Sequence, residues 1–151
     1  MSIRIIAVGK KHESWVSEGI ERYQKRLKRP FNAEWVLLPH SAREGHAARV
    51  EESERILARI RPDEYIILLD ERGKLLTSPA LSARLLSPLE RSQSIAIVIG
   101  GAYGVDQTVH SAADLVWSLS PLVLPHQLVR VVLMEQLYRS QEIAAGHPYH
   151  H

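Results

Sequence analysis

Apolar residues alternate along this chain between two rhythms. Short, nearly unbroken apolar runs at Ile3 to Val8 (IRIIAV), Tyr65 to Leu69 (YIILL) and Ile95 to Ile99 (IAIVI) have the character of strands covered on both faces. Ala33 to Leu38 and Leu115 to Leu119 add two more. Between the strands, apolar positions recur every three or four residues, as on one face of a helix. From Glu13 to Lys28 these are Trp15, Ile20, Tyr23 and Leu27, and Pro30 stops the run. Ser41 and Glu44 have the spacing of a capping box ahead of a charged amphipathic helix over Ala47 to Ile60. Ser78 as cap and Pro79 in the first turn open a helix that reaches about Glu90. A short helix after Asp106 follows, and a long one runs from His126 to Ala144, with Leu128, Val131, Val132 and Leu137 along its apolar face. Strands alternating with helices predict one α/β domain over residues 1–151, with a mainly parallel sheet flanked by helices.

Composition adds exclusions. Of 151 residues, 45% are hydrophobic and 24% charged, which suits a globular chain. Cysteine is absent, so disulfides and thiolate metal sites are ruled out. No apolar run approaches the roughly 18 to 20 residues of a membrane-spanning helix. The segment MSIRIIAVGK reads as a strand rather than as the apolar core of a secretion signal, and a cytoplasmic location with no membrane partner is expected. A net charge of +2 is too small to argue for nucleic acid. Lys25, Arg26, Lys28 and Arg29 cluster at one helix end, where they also complement the helix dipole.

Ligands of open α/β sheets gather at the carboxyl ends of the strands. Three such ends stand out: Leu69-Asp70 in the expected turn DERGK, Ile99-Gly100-Gly101, and Leu119 through Pro125. Paired glycines admit a ligand close to the backbone, and they equally make an ordinary tight turn. IGGAYG lacks the spacing of a dinucleotide fingerprint, and no P-loop pattern is present. In SPLVLP, Pro121 and Pro125 argue against a central strand. An apolar irregular loop of this kind is either a pocket wall, suited to a flat group such as adenine, or a buried structural loop. The tail GHPYHH carries His147, Tyr149 and His150, but with no Asp, Glu or Cys beside them it makes a poor zinc site, so no metal is expected.

Taken in order, AVGK, LLDERGK, VIGGAYG, WSLS, LPHQLVRVVLMEQLYR and HPYH resemble the ribosomal large subunit methyltransferase H family of the SPOUT superfamily, and the match spans the whole chain. The resemblance implies a sheet whose C-terminal segment threads a deep trefoil knot, and a homodimer with its active site at the subunit interface. It implies methylation of N3 of a pseudouridine in 23S ribosomal RNA within the assembled ribosome, with S-adenosylmethionine as donor. Leu69, Gly100, Gly101 and the run Leu119, Ser120, Pro121, Leu122, Val123, Leu124 would bind that cofactor. His126 and Arg130 would meet RNA, and Arg139, Tyr149 and His150 would be catalytic, the last two completing the partner's site. Glu135 is expected as a structural partner for an arginine. Where relatives tend to carry a basic residue after Tyr-His, this chain ends in His151, which replaces a permanent cation with a titratable one. The alternatives are a SPOUT enzyme acting on another RNA position and a non-enzymatic ribosome-binding factor of the same fold.

Overall fold

A computed structural model describes residues 2–151. In chain order the elements are β1 (Ile3–Val8), α1 (Ser14–Gln24), β2 (Ala33–Leu38), α2 (Gly45–Arg59), β3 (Tyr65–Leu75), α3 (Ser78–Glu90), β4 (Ile95–Ile99), α4 (Gln107–Ala112), β5 (Leu115–Ser118) and α5 (His126–Ala144). The strands form one five-stranded sheet in the order β2-β1-β4-β3-β5, and every pairing is parallel. Parallel neighbours need crossover helices, which cover both faces and account for the continuous apolar runs.

Strand alternation sorts β1 between two cores. Ile3, Ile5 and Ala7 pack with Val16 and Ile20 of α1, Leu81 and Leu85 of α3, and Leu133, Met134 and Leu137 of α5. Ile6 and Val8 face Ile56 of α2 and Val109 of α4. Arg4, on that second face, is buried and meets Glu64 through two bonds, Nε to Oε2 at 2.9 Å and Nη2 to Oε1 at 2.6 Å. Burial alone would push the Glu64 carboxyl up, but Arg4 and the Arg61 amide hold it below the ordinary carboxylate value.

Several expected boundaries move. α1 ends at Gln24, four residues early, and the chain turns through Lys28 on short-range backbone bonds. The Ser41–Glu44 capping box does not form: the Ser41 hydroxyl accepts from the Arg43 amide, and Glu44 caps α2 without its side chain. Thr77, not Ser78, caps α3, its Oγ1 accepting from the Ala80 amide, because Pro79 falls at the second helical position. On α5 the buried positions are Arg130, Leu133, Met134, Leu137 and Ser140; Leu128, Val131 and Val132 are only half-buried. The helix carries apolar residues on more than one side, and a buried arginine and serine disguise its inner face.

The largest departure is in β3. Leu69 and Lys74 both pair with Trp117 of β5, so the segment from Asp70 to Gly73 loops out while the ladder continues on either side. DERGK is therefore an excursion within a strand, not its end. Gly73 is required there, since a Cβ would lie 2.7 Å from the Val116 carbonyl carbon.

Candidate active site

The middle of β3, where its excursion begins, and the carboxyl ends of β4 and β5 open into a cavity of about 510 Å³, within the usual range for small-molecule sites. Leu69, Gly100, Gly101, Leu119, Ser120, Leu122, Val123 and Leu124 line it, as the sequence suggests, whereas Pro121 is exposed and does not. Asp70, Glu71 and Arg72 of the β3 excursion form a further wall that sequence reasoning missed. Three adjacent charged residues look like a solvated turn until β5 is seen to pair on both sides of them.

Both glycines are sterically dictated. A Cβ on Gly100 would stand 2.9 Å from Val105 Cγ1, and one on Gly101 would stand 2.5 Å from Glu52 Oε1. Real Cβ contacts do not come so close, so a side chain at either position would require Val105 or Glu52 to shift. Glu52 is buried in α2; its Oε2 accepts from the Ser41 amide, while Oε1 has no partner and lies against the Gly101 backbone. The loop after β5 holds itself in shape: Ser118 Oγ donates to the Ser120 carbonyl at 2.9 Å, and Ser120 Oγ accepts from the Leu122 amide at 3.0 Å. Leu122 and Val123 are nonetheless 70% and 80% exposed.

His126, first residue of α5, also lines the cavity, and its Nε2 lies 2.7 Å from the Gly100 carbonyl oxygen. A carbonyl only accepts, so Nε2 carries the proton. Burial, with Arg130 nearby, pushes the imidazole below its usual value, although the Gly100 bond opposes this. The neutral ring is thus a donor to the glycine loop. One turn on, Arg130 is completely buried. Its Nη1 donates to the Lys10 carbonyl at 2.9 Å and to His12 Nδ1 at 3.1 Å, while Nε and Nη2 have no partner. Burial lowers its own affinity for the proton and, with the Arg130 charge, lowers that of His12. The residues expected to meet RNA are therefore placed beneath the β1 and β4 loops.

The tail forms a second cluster. Tyr149 donates to Glu135 Oε2 at 2.8 Å, the same oxygen that pairs with Arg139 Nη2 at 2.9 Å. Arg139 Nη1 lies 3.0 Å from His150 Nδ1, and its guanidinium lies over the Tyr149 ring, 4.8 Å from the centroid. An arginine only donates, so His150 Nδ1 is the unprotonated nitrogen here. Burial and then Glu135 push the Tyr149 hydroxyl up to about 12. Glu135 is an arginine partner, as expected. His147, beyond this cluster, pairs with Glu142 at 3.2 Å. None of the tail residues lines the cavity. The rise of α5 between His126 and Arg139 separates the clusters by roughly 20 Å. Among the described residues, no group of three His, Cys, Asp or Glu side chains could hold a metal ion, and no helix is long and apolar enough to cross a membrane.

The site is thus a glycine-lined cavity at the ends of β4 and β5 and the excursion of β3, beside an apolar loop. A family model described as "Predicted SPOUT methyltransferase" matches residues 1–150. The chain belongs to the SPOUT methyltransferase family. Relatives named "Ribosomal RNA large subunit methyltransferase H" are similar over nearly its full length. That of Psychrobacter sp. (strain PRwf-1) is 43% identical over 159 residues, covering 99% of this chain and 98% of the relative. Those of Hahella chejuensis and Hydrogenovibrio crunogenus are 38% and 39% identical over 154 residues, covering 99% of each chain. Membership makes this SPOUT methyltransferase an enzyme that moves a methyl group.

Proposed function

We propose that this chain methylates N3 of a pseudouridine in 23S ribosomal RNA on the assembled ribosome, in the cytoplasm, with S-adenosylmethionine as donor. The names of its relatives support the substrate class. The cavity supports the donor: its aliphatic walls suit the adenine ring, and its bare Gly100-Gly101 backbone offers polar groups at close range. When bound, the cofactor supplies a methyl group activated by its sulfonium.

The observation that carries the rest is the separation of the cavity from the tail cluster along α5. One chain cannot bring Arg139, Tyr149 and His150 to its own cavity without unseating them. A homodimer in which each tail faces the other chain's cavity resolves this, and the exposed Leu122 and Val123 at the cavity rim are the apolar surface it would cover. A trefoil knot formed by the loop after β5 and α5 belongs to the same reading.

The imide nitrogen of pseudouridine carries a proton at neutral pH, and transfer requires its removal. His150 is the acceptor we assign, since its Nδ1 carries no proton and an imidazole can serve as general base. While Arg139 occupies Nδ1 that acceptor is blocked, so contact with RNA must draw Arg139 away. The guanidinium then faces the developing anion, which it stabilises electrostatically. Tyr149, held as a phenol, donates rather than abstracts. His126 fixes the glycine loop, and Arg130 fixes the loop after β1.

Labelled S-adenosylmethionine with large ribosomal subunits from cells lacking this enzyme tests the reading. Label is expected at one pseudouridine of 23S RNA. Cofactor binding without any transfer to ribosomes would refute it.

A further inference from the structure

The β3 excursion walls the cofactor cavity on one side and a second groove of about 750 Å³ on the other; Asp70, Arg72 and Val105 line both. The remaining lining of the second groove is rich in cations and imidazoles: His46, Arg49, Lys74 and His110. Two carboxylates also face it, and both are engaged. Asp70 pairs with Arg72 at 3.1 Å and His110 at 3.3 Å. Asp106 caps α4, accepting from the Thr108 and Val109 amides. Arg49 and Lys74 are different. Among the described residues neither has a carboxylate within ion-pair distance, and Arg49 is tethered only through Nε, to the Tyr103 carbonyl at 3.0 Å. That bond leaves the outer nitrogens of the guanidinium free.

We propose that this groove binds the phosphate backbone of the target RNA next to the methylated nucleotide. The proposal rests on the reading of the chain as an RNA methyltransferase, and it names a surface on which that reading has been silent. A chain with a net charge of only +2 has no general attraction for RNA; its cations must be concentrated where the strand passes. This groove concentrates them and shares a wall with the cavity where transfer occurs. The fold arranges this through one device. Pairing of both Leu69 and Lys74 with Trp117 throws Arg72 outward between the two spaces and sets Lys74 on the groove side. A strand lying in the groove would have its neighbouring base beside the cavity mouth, while Arg49 and Lys74 hold its phosphates as unpaired charges do, with little sequence preference.

The test compares the whole protein with the charge-neutral double variant Arg49→Gln/Lys74→Gln and the charge-retaining Arg49→Lys/Lys74→Arg. Binding to large ribosomal subunits is measured over a range of salt concentrations, with S-adenosylmethionine affinity by calorimetry beside it. The neutral variant is expected to bind subunits roughly tenfold more weakly, and the slope of log affinity against log salt to become shallower by about 1.4, the value for two phosphate contacts. Cofactor affinity stays as in the parent, and the charge-retaining variant keeps both subunit affinity and slope. Should the double variant fail to fold, Lys74→Gln alone, at an exposed position, is expected to reduce the slope by about 0.7. Unchanged affinity and slope in the neutral variant would overturn the groove while leaving the methyltransferase reading intact, as would equal losses in both variants. If the parent binds subunits through these residues yet transfers no methyl group, the reading of function falls and the groove stands. If the parent binds no subunits at all, both fall.

Discussion

His126 and Gly100 stand 26 residues apart in the chain, and the imidazole Nε2 of one lies 2.7 Å from the carbonyl oxygen of the other. The bond crosses from the first turn of α5 to the end of β4, so the loop that bares its backbone to the cavity is held by the helix that leads to the tail. Replacing His126 by alanine removes one buried hydrogen bond, worth about 1 kcal/mol, or roughly fivefold in affinity. Calorimetry is expected to show cofactor binding weakened by that order, with His126→Gln retaining part of it. Undiminished affinity in the alanine variant would mean that the loop is held by its own sterics.

The contact of Gly101 with Glu52 gives a paired prediction. Gly101→Ala places a methyl 2.5 Å from Oε1 and forces the buried carboxylate aside. Overpacking of this kind costs about 1–3 kcal/mol, felt both as stability and as lost cofactor binding. Adding Glu52→Ala vacates the space, so the double variant is expected to recover cofactor affinity relative to Gly101→Ala alone. A double-mutant cycle with no coupling between the two positions would contradict the contact.

The placement of cavity and tail at opposite reaches of α5 predicts complementation between defective chains. A Gly101→Ala subunit keeps its tail, and a subunit truncated after Gly146 keeps its cavity. If each tail serves the other chain, the mixed dimer has one complete site and its activity exceeds that of either parent. If the tail served its own chain, mixing would restore nothing. Ribosome methylation by the refolded mixture, set against each parent, reads the difference directly.

His150→Ala is expected to reduce turnover by roughly 10²–10⁴-fold, the range for a general base, with cofactor affinity unchanged, because in this reading His150 meets the RNA base, while the residues lining the cavity hold the cofactor. Raising the pH should partly restore the variant, since the imide then ionises without help. A variant whose rate and pH profile match the parent would remove His150 from the chemistry.

Acid should unfold the protein in two stages. The folded-state affinities of His12 and His126 for protons are lowered, so their contribution is fully present above about 6.5 and is lost as pH falls below it. Glu64, also lowered, contributes fully above about 4.3 and is lost on further acidification through its folded value. Urea midpoints across this range should fall in that order. Glu64→Gln, which strands the buried Arg4, should cost about 3–5 kcal/mol; Arg4→Met/Glu64→Leu should recover most of it.

Much of the frame was legible because its signal is coarse. β1, β4 and α5 lie where the apolar runs put them, since a doubly covered strand or a 19-residue helix tolerates few alternatives, and the edge strand β2 also falls on its expected bounds. What hid were features decided by partners distant in sequence. Nothing local tells that Trp117 pairs with both Leu69 and Lys74, so DERGK passes for a turn that ends the strand. Arg130 shows the same limit on a helix. An arginine is normally read as surface, but here the Lys10 carbonyl and His12 draw it fully inside and shift the buried face away from Leu128, Val131 and Val132. In the candidate site, the glycines and the proline-broken loop could be read from residue type, and the tail's roles came from family resemblance alone.

The double pairing at Trp117 makes Asp70 to Gly73 a cassette. The ladder closes on the same partner before and after it, so its length and charge can change without moving the register of any other strand. Gly73, pressed against the Val116 backbone, is the one fixed stitch. Exchanging the three residues before it is thus a route by which a sheet with an unaltered cofactor cavity could be refitted to a differently shaped nucleic acid.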